Sequence, residues 1–399
     1  MTERLRNRGL GFSALALTAV SAIFALAGGV LLFQIFYHLT PIRSGWRSNA
    51  NRLEENELGF RGHAIHYSPD DFVIVLLGDS NVQANACAYD WMPERRLEEH
   101  LKRMGRAVKV FSVGANGYGQ DQELMAIEEY LGRYRADLVL LWLYPRNDVW
   151  NNVFPTSGAS ARPKPVFWLE GDSLRGPSES WEEPIWSHRF KVVALLQRLW
   201  LPRRRDADWI RRLPPAYHSM AEYDGKVDHW MRDKLEQGLL PLENLETEKS
   251  HFSLSLVPRS PRTEYGIQLT RRLLHRIDDA VVGHQGKLVL FSQRLNQECG
   301  WPLLDGVYDF RGRYYRMSQD QLDASVRDLV EGFPFFDTPI EVQPSWVGPA
   351  DPHLNEHAAD AFMKSLAEEI LPYVPMGHPL ASHLAEDPSL LWNGGGVSP

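Results

Sequence analysis

Ser80 sits in "VIVLLGDSNVQ" (Val73 to Gln83), directly after five apolar residues and a Gly-Asp pair. A hydroxyl presented where a buried strand ends can act as a nucleophile if a base reaches it. Three other stretches carry what such a nucleophile needs. "FSVGANGYGQDQ" (Phe111 to Gln122) is a turn with Gly114, Gly117 and Gly119, glycines that let backbone approach a substrate closely. "LYPRNDVWNN" supplies Asn147, Asp148, Asn151 and Asn152, and "ADPHLNEHAADAF" supplies Asp351 and His353. A serine, a glycine-rich turn, an amide and an acid–imidazole pair are the parts of acyl transfer: nucleophile, oriented base, and donors for the oxyanion. Plainer readings stand beside this one. Ser80 could be a turn serine, Asn147 and Asp148 a turn pair or helix cap, and Asp351 and His353 an N-cap and a surface histidine. His63, His66 and His357 are scattered and read as surface or satisfied residues; His357, one helical turn past His353, is the rival base.

The elements that must position these groups follow from periodicity. Val73 to Leu77 is a short apolar run bounded by turn residues, the pattern of a buried strand. Further strands are expected at Lys109–Gly114, Ala136–Tyr144, Gly286–Gln293 and Phe333–Phe336. Helices are expected at Pro93–Met104, Gln120–Tyr134, Tyr265–Val282, Gln319–Glu331 and Glu356–Leu371. Alternating strands and helices predict a parallel sheet covered on both faces, an α/β chain. In such sheets ligands meet the carboxyl ends of the strands, so the four stretches are expected as loops at one edge.

Taken in order, "GDSN", "GANGYG", "RND" and "DPHLN" resemble four sequence blocks of the SGNH hydrolase superfamily, the GDSL esterases. "NGYG" followed by "DQE" is similar to exported bacterial members. The resemblance spans about Asp71 to Leu371, apart from the middle. It implies a three-layer α/β/α sandwich of flavodoxin-like type. It also implies roles: Ser80 as nucleophile, His353 as base, Asp351 as the carboxylate orienting the imidazole. The backbone N–H of Ser80, the backbone N–H of Gly117 and the side-chain amide of Asn147 would form the oxyanion hole. Asp79 would brace the turn rather than attack. The chain departs from the family twice. Asp351-Pro-His353 has one intervening residue where two are common, and Ser112 stands where block II usually carries Asn. The "GDSNV" turn is not the GxSxG elbow of α/β-hydrolases.

The N-terminus bounds location. No Lys, Arg, Asp or Glu occurs between Arg8 and Arg43, and residues 10–37 are mostly apolar. About 20 such residues cross a bilayer core. Arg4, Arg6 and Arg8 precede them, so the N-terminus is expected in the cytoplasm and the remainder outside, on the periplasmic side of an inner membrane. A cleaved signal peptide ending near Ala25 to Ala27 is the rival, but the apolar run continues through "GGVLLFQIFYHL". The expected organisation is an N-tail and anchor over 1–43 and a polar linker over 44–70, a stalk or a strap. The α/β domain follows over 71–375 with an insert at about 151–262, then a tail over 376–399.

The net charge of −8 argues against a nucleic-acid partner. Two distant cysteines, Cys87 and Cys299, give no zinc spacing, and no metal or cofactor is expected; the two could pair in an oxidising compartment. The segment from 150 to 230, mostly the insert, holds seven of thirteen tryptophans (Trp150, Trp168, Trp181, Trp186, Trp200, Trp209, Trp230), with arginines at 203–205, 211 and 212. It could be a lid for sugar rings, an amphipathic piece on the membrane, or a cap burying its own aromatics. Export and tethering favour an acyl-ester substrate of the cell envelope, an acetyl ester on a polysaccharide, with hydrolysis and transfer equally served. A lipid ester is the second enzymatic reading. A non-catalytic scaffold of polysaccharide assembly is the reading from another class.

Overall fold

The computed structural model describes residues 18–32, 54–157, 162–177, 209, 249, 251–295, 306–310, 313–340, 343–348 and 351–376. Five strands form one sheet: β1 (Phe72–Gly78), β2 (Val108–Gly114), β3 (Leu138–Trp142), β4 (Lys287–Leu295) and β5 (Phe335–Ile340). Their order is 2-1-3-4-5 and every neighbouring pair is parallel. This is the flavodoxin-like order, whose switch point lies between β1 and β3. Alternation along β1 sends Val73, Val75 and Leu77 into one core and Ile74 and Leu76 into the other. That is why the run is apolar throughout: both faces are covered.

The covering helices are α1 (Pro93–Arg103), α2 (Gln120–Leu131), α3 (Pro145–Val153), α4 (Pro261–Gly283), α5 (Gln319–Val330) and α6 (Glu356–Glu369). Residues of α1 and α6 pack on the Ile74 face, and residues of α2, α3, α4 and α5 on the Val73 face. The expected three-layer sandwich is therefore present, with strand and helix ends shifted by a few residues. On the α6 side Phe362 lies 4.8 Å from the Trp142 ring and 5.9 Å from Phe291. Truncating such a fully buried aromatic costs about 3–5 kcal/mol, and here it would loosen the helix that follows His353. Asp360 of α6 accepts from Arg96 Nε at 2.6 Å and lies 2.8 Å from His100 Nε2, pinning α6 to α1.

Two expectations about loops are corrected. "PRNDVWNN" is the helix α3, not a loop. Pro145 stands at its first turn, where the fixed φ suits a helix and no N–H is missed. Val149 and Val153, one turn apart, face Gly266 of α4 so closely that a Cβ there would lie 2.7 Å from Val149 Cγ1. Packing has overridden the poor helix propensity of a segment with three asparagines. The Asp351 stretch is likewise a strand, Asp351–Leu354, paired antiparallel with Val347–Gly348. The last sheet strand runs to Ile340 and not Phe336. Pro339 falls inside it, tolerated because β5 is an edge strand.

Residues 54–70 run as a strap against the domain, with Leu58, Phe60 and Ile65 buried in its core. Residues 18–32 are helical. Among the described residues no helix is long and apolar enough to cross a membrane, and both ends of the expected 10–37 span lie outside them. Of the tryptophans between 150 and 230, Trp150 and Trp209 are buried in the main core, and Trp209 Nε1 donates to the Val153 carbonyl at 2.7 Å. Trp181, Trp186, Trp200, Trp230 and the arginines at 203–205, 211 and 212 lie outside the described residues, as does Cys299. Cys87 is a buried free thiol.

Candidate active site

β1 ends at Gly78, and the chain turns at Asp79 into a single helical turn, Ser80–Gln83. The Asp79 side chain caps this turn, accepting from Asn81 N at 2.9 Å and from Asn81 Nδ2 at 3.0 Å. That brace presents Ser80 at the carboxyl edge of the central strand. There the Ser80 hydroxyl meets His353: Oγ and Nε2 are 2.7 Å apart. With the proton on Nδ1, the hydroxyl donates to Nε2, the arrangement in which an imidazole removes a serine proton. His353 rides on the short strand before α6, whose N-terminus is capped by Asn355 Oδ1 accepting from His357 N and Ala358 N at 3.1 and 3.2 Å. His357 is exposed and its ring lies 6.0 Å from Trp346. His63 binds Glu94 at 2.5 Å and His66 its neighbour's carbonyl at 3.0 Å.

Gly117 and Asn147 arrive on the turns that follow the two flanking strands. After β2, Gly117 adopts φ +75°, a left-handed conformation that favours glycine. Gly114 lets β2 approach β1, for a Cβ there would lie 2.4 Å from the Gly78 carbonyl oxygen. The turn is held to the serine by Gln83, whose buried Oε1 accepts from Asn116 N at 2.9 Å. The backbone N–H groups of Ser80 and Gly117 find no acceptor among the described residues. After β3, the first turn of α3 carries Asn147, whose Nδ2 donates to Asp79 Oδ2 at 3.1 Å. One N–H of that amide is thereby fixed and the second is left for another acceptor. Three turns from three parallel strands are thus cross-linked by side chains around Ser80. Asp351 starts the strand that bears His353.

Buried acids lie close to Asp79, the residue before Ser80. Asp148 accepts from Tyr144 N at 2.8 Å, reaching back across the first turn of α3. Glu123 accepts from Gln120 Nε2 at 3.3 Å. Burial, then the charges of Asp148 and Asp79, push the Glu123 carboxyl well above the usual range. Burial and Asp79 push Asp148 up likewise. Desolvation and like charge both favour the neutral acid, which keeps negative charge low beneath the site. Asp121, at the start of α2, is instead paired with buried Lys164 from the insert. Among the described residues no cluster of His, Cys, Asp or Glu could hold a metal ion.

Gln83 was not singled out by sequence, although it stands one helical turn after Ser80, and Glu123 entered only as the last residue of "DQE". Of the two readings of the linker, stalk and strap, residues 54–70 follow the second, but none of their side chains was singled out.

No family model matches the chain, and no curated protein does. Among solved structures it is similar to an acetyl xylan esterase from the rumen bacterium Butyrivibrio proteoclasticus, at 9% identity and a TM-score of 0.35 over 77% of this chain. The chain spans 64% of the length of that esterase. It is also similar to a lipase/acylhydrolase from Enterococcus faecalis, at 10% identity and a TM-score of 0.31, over 77% of this chain and 99% of that one.

Proposed function

We propose that this chain is an exported, membrane-anchored serine esterase or O-acyltransferase acting on acyl esters, acetyl esters in the first place, of cell-envelope polysaccharide. The observation that carries the reading is the 2.7 Å contact of Ser80 Oγ with His353 Nε2 at the carboxyl edge of the sheet. The switch point of a doubly wound sheet is where ligands bind. Ser80 Oγ attacks the ester carbonyl while Nε2 takes its proton. Negative charge forms on the carbonyl oxygen and is met by the N–H groups of Ser80 and Gly117 and by Asn147. The tetrahedral species collapses, His353 returns the proton to the departing alcohol, and an acyl-serine remains. Water, or a sugar hydroxyl, then attacks the acyl carbon with His353 again as base, releasing the acid or the transferred ester. Asp351 is proposed to orient the imidazole, the role that the resemblance at "DPHLN" implies.

The charge-free stretch between Arg8 and Arg43 supports the tether, as do Ile23, Phe24, Leu26, Leu31 and Leu32, apolar residues exposed on the helix at 18–32. Export and tethering in turn favour an envelope substrate over a cytoplasmic one. A scaffold that only bound glycan would have no need of a base beside a serine. The test is p-nitrophenyl acetate hydrolysis by the full chain in detergent, beside Ser80→Ala. Release many-fold above the variant supports the reading, and equal release removes it. An acetylated glycan, with and without an acceptor sugar, then separates hydrolysis from transfer.

A further inference from the structure

Arg61 belongs to the strap and lies far from Ser80 in sequence, yet its buried guanidinium grips the loop that follows the serine. Nη1 donates to the Gln83 carbonyl at 3.1 Å and to the Ala84 carbonyl; Nη2 donates to the Cys87 carbonyl at 2.9 Å. Nε donates to Glu54 Oε2 at 2.6 Å, which fixes the fork from behind. The strap is itself tied to the sheet, since Asn56 Nδ2 donates to the Ser112 carbonyl of β2 at 2.9 Å.

These acceptors lie at the end of the Ser80 turn, where a helix needs donors for its last carbonyls; the Ala84 carbonyl also accepts from Cys87 N at 3.0 Å, so Arg61 and the loop close on the same oxygen. Ala84 closes the turn with its N–H on the Ser80 carbonyl at 2.9 Å, and it does so at φ 49° and ψ 49°. That left-handed conformation is unfavourable for a residue with a Cβ and persists only when its surroundings enforce it. The gripped loop also reaches the base. Cys87 Sγ lies 3.5 Å from the carbonyl of Leu354, the residue after His353.

We infer that Arg61 is a positioning residue for the reaction: its fork on the carbonyls of residues 83, 84 and 87 holds the Ser80 turn, and through Cys87 the His353 strand, in the geometry that brings hydroxyl and imidazole together. The inference rests on the proposed serine chemistry. A planar fork with several fixed donors suits diverging carbonyls; an ammonium is a single point.

The experiment compares the full chain with Arg61→Ala, Arg61→Lys and Ser80→Ala on p-nitrophenyl acetate, with near-UV circular dichroism to verify folding. A misplacement of about 1 Å costs about 100-fold in rate. Arg61→Ala is therefore expected to lose about 100-fold in kcat, with KM within about threefold because ground-state binding is untouched. Added methylguanidinium restores part of the loss. Arg61→Lys falls nearer to the alanine variant than to the unmodified chain. Should Arg61→Ala fail to fold, the lysine variant carries the test, a folded protein with at least a tenfold loss of kcat being the supporting result. A folded variant with unchanged kcat, a rise in KM alone, or a loss that methylguanidinium does not relieve overturns the inference. If the unmodified chain is no faster than Ser80→Ala, both the proposed function and this inference fall. If it is faster while Arg61→Lys equals it, only the inference does.

Discussion

Replacing Gln83 with Met would cut the link between two of the three turns around Ser80 while keeping most of the side-chain volume. The Gln83 Oε1 acceptor serves Asn116 N at 2.9 Å and Asn85 Nδ2 at 3.3 Å. Only the first is short enough to matter. Asn116 is exposed and water can take up its N–H, so the loss is that of an ordinary hydrogen bond, about 0.5–1.5 kcal/mol of stability. The larger effect should fall on rate. Gly117 is the next residue after Asn116, and in the proposed reaction its N–H must stand about 2.7–3.1 Å from the developing oxyanion. A drift of about 1 Å costs about 100-fold, or about 2.7 kcal/mol of barrier. The ceiling is the complete loss of one oxyanion donor, about 10²–10³-fold. The expected phenotype is thus kcat down about 100-fold, with KM nearly constant because the donor acts on charge present only in the transition state. Steady-state kinetics on p-nitrophenyl acetate, beside a thermal melt, measure both terms. A Gln83→Met protein that melts earlier but keeps kcat within about twofold would show that the Gly117 turn holds itself, and the reasoning would be refuted.

Three further outcomes are expected. Asn147→Ala should lower kcat by about 10²–10³-fold, while Asn147→Asp should also lower the melting temperature, because it sets a carboxylate 3.1 Å from Asp79 Oδ2. Glu123→Gln should flatten the pH dependence of stability. The Glu123 carboxyl is raised in the folded state, so its penalty is absent below about pH 4 and grows as pH climbs from there through the raised value. Melts of the two proteins should coincide in acid and separate at neutral pH in favour of the glutamine; parallel curves would contradict this. Lys164→Met strands Asp121 in a fully buried site and should cost about 3–5 kcal/mol in urea unfolding, a loss that Asp121→Asn in the same chain partly recovers.

How much of this was legible in sequence depended on whether the signal was local. Val73 to Leu77 and Leu138 to Trp142 are apolar without interruption because both faces of the sheet are covered, and a short apolar run between turn residues needs no tertiary knowledge to read. Ser80, Gly117, Asn147 and His353 were each legible as a strand-end group. The convergence of Ser80 with His353, residues far apart in the chain, follows from strand order, and an α/β alternation predicts that order only in outline. α3 was missed because its helix rests on Pro145 and on Val149 and Val153 meeting Gly266, a contact between distant segments. The strap was read without period because its polar residues serve backbone carbonyls. Arg61 answers to Gln83, Ala84 and Cys87, and Asn56 to Ser112, partners that no spacing within "NELGFRG" could disclose.

The most direct test follows the acyl group itself. The full chain is mixed with p-nitrophenyl acetate, quenched in acid within milliseconds to seconds, and digested for mass spectrometry. The account predicts one acetyl group on the Ser80 hydroxyl, forming about 10²–10⁴-fold more slowly in His353→Ala, the span of a general base. An acetyl group found on another residue, or formed on Ser80 at the same rate without His353, would contradict it.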